Sequence, residues 1–209
     1  MLPNLLQLAS RFDRRGEAVY ITEFAGAFGI ADLVAFVPRG ELLGSRLESS
    51  EIRPLRYEPD AAVVCVLSAG RGRAVDEVAR LLGWPEEAVL RRLPKLIRSG
   101  AVARSSNGRL SRHPHLVPAG RLHAFEAKVC DWRRGIEQAR RYRLWADTAT
   151  VVLAQVSTRS RDSVLAEAER LGLGLGVQNR WIRSPRRYEH SNARRLLASE
   201  LAVAALTAK

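Results

Sequence analysis

Two near-continuous apolar runs limit the fold of this chain more than any other feature. IADLVAFV at 30–37 lies between Gly29 and Pro38, and TATVVLAQV at 148–156 lies between Asp147 and Ser157. A strand wet on one side alternates apolar with polar residues, whereas a strand apolar throughout is covered on both faces. Covering a sheet on both faces takes helices, so these runs predict an α/β layered domain.

The neighbouring patterns fit such a domain. PNLLQLASRFDR, 3–14, has apolar residues at 5, 6, 8 and 12 and stops at Gly16, as an amphipathic helix does. AVYITEF, 18–24, reads as a strand joined to the 30–37 strand by AGAFG, and the polar stretch 38–59 as a linker or irregular surface segment. From 59 to about 119 the period turns helical. DAAVVCVLSAG (60–70), AVDEVARLLG (74–83) and WPEEAVLRRLPKLIRSG (84–100) read as three helices, with Pro94 expected to kink the third or end it early. AVARSSNGRLSR, 101–112, reads as two extended runs about an Asn-Gly turn suited to a tight hairpin.

Strand character returns in RLHAFEAKV, 121–129. A helix follows from DWRRGIEQARRYRLWAD, with Trp132, Ile136, Ala139 and Ala146 on one face. Beyond the 148–156 strand come a helix (RDSVLAEAERLG), a short strand (LGLGV) and a last helix after a basic approach. The expected organisation is an α/β core from 1–58 and 120–209, with a domain of three helices and a hairpin, 59–119, inserted in it. That order of elements is the order of a winged helix-turn-helix.

Charge narrows the partners. The chain carries 34 Lys and Arg against 22 Asp and Glu, a net charge of +12 and a pI near 11.0. Most of the positive charge is Arg, whose planar fork suits phosphate, so nucleic acid is the leading partner. A GC-rich genome would explain Arg over Lys but not the excess. Two cysteines, Cys65 and Cys130, stand far apart in apolar settings, which excludes a cysteine-based zinc site and argues for a reducing compartment. The first residues lack a basic n-region and a long apolar core, and no run approaches membrane-spanning length. A cytoplasmic protein with no membrane contact is the expectation.

Three charges interrupt the apolar strands: Asp32 in the 30–37 run, and Glu126 and Lys128 in HAFEAKVCDW, 123–132. Residues two apart share a face of a strand. Glu126 and Lys128 alone fit either the wet side of an edge strand or a functional pair. Asp32, in an equally apolar setting, tips the balance, since an unpaired buried carboxylate costs several kcal/mol. Two carboxylates and a lysine that converge would suit a hard cation with water and substrate phosphate.

Asp32, then Glu126-Ala127-Lys128 on the next core strand, resembles the PD-(D/E)xK signature of the restriction-endonuclease-like superfamily. Gln138-Ala-Arg-Arg-Tyr142 on the following helix resembles the Gln-x-x-x-Tyr element of its exonuclease-like branch. The resemblance spans about 1–58 and 120–180. It implies a mixed sheet flanked by helices, Mg²⁺ or Mn²⁺ held by Asp32 and Glu126, Lys128 positioning the attacking water, and Gln138 and Tyr142 supporting the site. Glu23 would be the extra acidic residue of some members. The implied activity is hydrolysis of DNA phosphodiester bonds, and a homodimer is a further implication, since members acting on duplexes often work in pairs. Ala31 stands where the motif has Pro, and the first helix offers only Asp13, at its end, where many members have Glu. A binding-only protein on the same fold, or a winged-helix scaffold for protein contacts, are the alternatives this leaves open.

In the inserted domain, Arg91, Arg92, Lys95 and Arg98 of the third helix and Arg104, Arg109 and Arg112 of the hairpin are the candidate nucleic-acid contacts. His113 and His115 in RHPHLVP lack a third ligand and read as a surface loop. GLGLGV, 172–177, has no Lys-Ser/Thr and reads as close backbone packing. QNRWIRSPRRYEH, 178–190, fits either a single-strand grip of Arg and aromatics or a solvated connection.

Overall fold

The computed structural model describes residues 1–49, 51–189 and 192–207. It separates into two compact units. One is built from Met1–Pro38 and the chain from Gly120 to beyond the last strand; the other is built from Arg39–Ala119 and the C-terminal helix.

The first unit is α/β. Among the described residues its sheet has six strands: β1 (Val19–Ala25), β2 (Ile30–Pro38), β5 (Gly120–Lys128), β6 (Thr148–Leu153), β7 (Gly174–Val177) and β8 (Arg180–Arg183), adjacent in that order. β3 and β4 belong to the other unit. The sheet is mixed. β5, β6 and β7 run parallel, and β1, β2 and β8 pair antiparallel with their neighbours. The parallel steps are the ones bridged by helices α7 (Trp132–Tyr142) and α8 (Thr158–Leu171), because parallel neighbours need a crossover.

Helices cover both faces, as the apolar runs require. On one face Leu5, Leu8 and Ala9 of α1 (Leu2–Ala9) pack on Leu33, Ala35, Phe125 and Val152. On the other, Gly135 of α7 sits close enough to Lys128 and Val151 that an added Cβ would lie 3.0 Å from each. Gly174 and Gly176 in β7 leave room for Thr150 and Leu8, where a Cβ would come within 2.5 and 2.6 Å. That is the close packing read from GLGLGV.

Strand β8 falls in QNRWIRSPRRYEH, which the sequence left as a grip or a connection. Its alternation is hidden because exposed Arg180 flanks Trp181 and the exposed face carries Ile182. His190 of that run and Ser191 lie outside the described residues.

The second unit holds helices α2 (Gly40–Glu48), α3 (Glu58–Val66), α4 (Val75–Leu82), α5 (Glu86–Leu90), α6 (Leu93–Arg98) and α9 (Ala193–Thr207), with the hairpin β3 (Val102–Arg104) and β4 (Leu110–Arg112). It is larger than the expected 59–119 segment. α2 lies within the stretch read as linker, where Gly40 and Gly44 weaken the helical signal. Its Arg46 is buried and bidentate with Glu200 of α9, at 3.0 and 2.7 Å. The last helix therefore completes this unit's core. The expected third helix is two, α5 and α6, because Pro94 falls in the first turn of α6, where its missing N–H costs nothing. The hairpin is looser than a two-residue turn. Residues 105–109 connect the strands, Gly108 N–H bonds the Ser105 carbonyl at 2.9 Å, and Gly108 takes φ +77°.

Among the described residues no helix is long and apolar enough to cross a membrane.

Candidate functional site

The chain leaves the sheet at Pro38 and re-enters at Gly120, and these two residues are ladder partners. The insertion thus departs and returns at one rung, so β2 and β5 keep the register of a plain antiparallel pair. That register ends at Leu33 opposite Phe125; just past it the Asp32 carboxylate accepts from the Ala127 backbone N–H, which brings it next to Glu126. In β1, Thr22 and Phe24 pair with Leu33 and Ala31, and Glu23 between them departs from regular strand geometry. Asp32 and Glu126 thus come together on neighbouring strands, and among the described residues Glu23 is not gathered with them.

The three carboxylates differ in setting. Glu126 is 1% exposed on an interior strand, so the wet-edge reading of Glu126 and Lys128 is ruled out. Its Oε1 accepts a hydrogen bond from Lys128 Nζ at 2.5 Å, and its Oε2 accepts one from the Tyr142 hydroxyl at 2.5 Å. Asp32 is half-buried, and its Oδ2 accepts from the Ala127 backbone N–H at 2.7 Å. Glu23 is exposed and sits at φ +50°, a left-handed conformation that a non-glycine residue adopts only at a cost.

Helix α7 holds the site from above. The Asp131 side chain, three residues after Lys128, caps it by accepting from Arg134 N–H at 3.1 Å. One face then buries Gly135, Ile136, Ala139 and Tyr142. Tyr142 reaches the Ile30 carbonyl as well as Glu126, at 2.7 Å. Its ring lies 5.5 Å from that of Trp145, which packs on Phe24 at 5.5 Å and fits over Gly26, where a Cβ would meet it at 2.6 Å. Gln138 lies one turn before Tyr142, and its Oε1 is buried with no hydrogen-bond partner among the described residues.

The electrostatics follow from this burial. Removal from water raises the Glu126 pKa above its ordinary value; Asp32 raises it further, against the lowering effect of the Lys128 and Tyr142 hydrogen bonds. Burial and the Glu126 carboxylate push the Tyr142 phenol well up, so it stays a donor at any working pH.

Oxygen donors in this pattern fit a hard cation. Asp32 Oδ1 and the Glu126 carboxylate are anionic oxygen donors of the kind such an ion takes, and the unpartnered Gln138 Oε1 is a neutral oxygen on the same helix as Tyr142. Among the described residues no three His, Cys, Asp or Glu gather round one point. A Mg²⁺ site does not need them, since it takes one or two carboxylates and completes its shell with water and phosphate.

Sequence reasoning pointed to Asp32, Glu126, Lys128 and Tyr142, which the structure brings together, and to Gln138, whose buried amide oxygen lies one turn away. It missed the Ile30 carbonyl, a backbone group with no sequence signal, and Trp145, whose spacing of three from Tyr142 was the available clue.

The basic candidates of the second unit divide. Arg92 and Lys95 both pair with buried Asp60, at 3.0 and 2.8 Å. Arg109 bonds the Gly72 carbonyl at 3.0 Å and pairs with Glu77, and Arg112 bonds the Leu67 and Leu116 carbonyls, both at 3.1 Å. Arg91, Arg98 and Arg104 are exposed. His115 bonds Ser49, and His113 lies 3.6 Å from Glu51.

No protein-family model, curated protein or solved structure matches the chain.

Proposed function

We propose that the chain is a metal-dependent DNA nuclease of the PD-(D/E)xK kind, with a restriction-endonuclease-like core and a winged-helix-like module in the second unit. The observation that carries this reading is the Asp32–Ala127 hydrogen bond, which holds the Asp32 carboxylate beside Glu126, with Lys128 hydrogen-bonded to Glu126. Asp32 and Glu126 would hold Mg²⁺ or Mn²⁺. A divalent cation so held supplies Lewis-acid polarisation of a phosphodiester and lowers the pKa of a bound water. Lys128 orients the attacking water or offsets charge on the phosphate as the P–O bond breaks. Tyr142 fixes the Glu126 rotamer, and Gln138 offers its amide to the substrate or to the site. Exposed Arg91, Arg98 and Arg104 give the second unit its phosphate contacts.

The test is cleavage of single-stranded, duplex and branched DNA with Mg²⁺, Mn²⁺ or chelator. Metal-dependent cleavage by the parent, lost in Glu126→Ala and Lys128→Ala, is the expected result. Absence of cleavage, or variants as active as the parent, contradicts it.

Two observations favour a second reading, a DNA-binding protein without catalysis. Both Glu126 oxygens already accept hydrogen bonds, and Ala31 replaces the motif's Pro. Binding with a steep salt dependence and no cleavage under any metal is its signature.

A further inference from the structure

The second unit contains a groove of about 870 Å³ between the segment 53–57 and helix α6. Arg53, Arg56, Lys95 and Arg98 line it, with Asp60 as its carboxylate. Asp60 is committed to Lys95 and to Arg92, so the groove keeps an excess of positive charge. Its floor is apolar, formed by buried Leu55 and Leu96. Tyr57 stands on its wall with 58% of its surface exposed. The Lys95 ammonium lies 4.0 Å from the centre of the Tyr57 ring, and its bond to Asp60 fixes it there. The Arg53 N–H bonds the Ser99 carbonyl at 3.0 Å, which ties the 53–57 wall to the end of α6.

We infer that this groove binds single-stranded DNA, with a base stacked on Tyr57 and the flanking phosphates on Arg53, Arg56 and Arg98. An exposed aromatic ring beside several cations is the combination that single-strand grooves use. The concavity decides against a duplex. Reading a major groove takes a convex helix with outward side chains, whereas here the cations converge on a hollow of the size that takes small ligands. An acidic peptide without aromatic residues would use the cations but has nothing to stack on the ring. The inference rests on the nucleic-acid reading above but not on cleavage.

The test is fluorescence anisotropy of a labelled oligothymidylate in chelator at low salt, with full-length parent, Tyr57→Ala, Tyr57→Phe and the double variant Arg53→Glu/Arg56→Glu. The parent binds the oligonucleotide more tightly than a hairpin duplex of equal length. Tyr57→Ala weakens that binding about tenfold, Tyr57→Phe keeps it, and the double variant weakens it further. Parent-like binding by both Tyr57→Ala and the double variant overturns the groove, as does equal competition by polyglutamate, since charge alone would then suffice. Tighter binding to the duplex overturns it too. These outcomes are independent of the nuclease reading. A protein that never cleaves but shows this variant pattern keeps the groove, and one that cleaves while Tyr57→Ala and the double variant bind as the parent does loses it.

Discussion

Asp32 Oδ2 accepts a 2.7 Å hydrogen bond from the backbone N–H of Ala127, across 95 positions of sequence. The bond fixes the Asp32 carboxylate against the strand that carries Glu126 on one side of Ala127 and Lys128 on the other. Asp32→Ala should therefore lose more than charge. It leaves the Ala127 N–H without its acceptor, costing about 1–3 kcal/mol, whereas Asp32→Asn keeps an acceptor oxygen and stays closer to the parent. Urea unfolding of the two variants measures the difference.

Glu126 gives a pH signature. Burial raises its pKa in the folded state, so the folded protein holds this proton more tightly than the unfolded chain, whose glutamates titrate near 4.3. The associated stability is complete below about pH 4.3 and is lost as pH rises through the folded value. Glu126→Gln removes the ionisation. It should melt above the parent at pH 8, and its advantage should shrink as pH falls towards 4. Thermal melts across that range check the sign.

Tyr142→Phe removes the hydroxyl shared by Glu126 and the Ile30 carbonyl. That hydrogen bond lowers the Glu126 pKa against the effect of burial, so its loss lets the value climb further. The acid limb of the cleavage profile should move to higher pH, and stability should fall by about 1 kcal/mol. An unmoved limb would mean that Glu126 does not titrate in the active form.

Glu23 is the non-glycine residue held at φ +50° in strand β1. Glu23→Gly should relieve backbone cost of about 1 kcal/mol, against a small entropy gain of the unfolded chain. A stabilised variant with reduced cleavage would mark Glu23 as a residue whose strain serves the site. A stabilised variant with full cleavage would leave it an irregularity of strand β1.

Much of the first unit could be read from its residues. β2 and β6 announce themselves because strands covered on both faces cannot hide their composition, and α7 shows in its apolar stripe, of which Ile136 and Ala139 are buried in the helix while Ala146 lies past its end. Glu126 was legible for the same reason, as a charge where the sheet required none. The β2–β5 pairing was not legible. It depends on the insertion leaving at Pro38 and returning at Gly120, which no local pattern records. β8 escaped because a strand of four residues bearing two arginines resembles a surface connection. α2 escaped because its key contact, Arg46 with Glu200, lies 154 positions away, and ion pairs leave no periodicity in sequence.

The most direct test of the account is the cleavage rate of Asp32→Asn on fluorescent DNA with Mn²⁺, measured beside the parent and Glu126→Gln. If the two carboxylates hold one catalytic ion, each substitution alone lowers the rate by at least ~10²-fold, chelator abolishes the parent's activity, and the double variant is no worse than either single one. Parent-level cleavage by Asp32→Asn, with intact folding by circular dichroism, would contradict it.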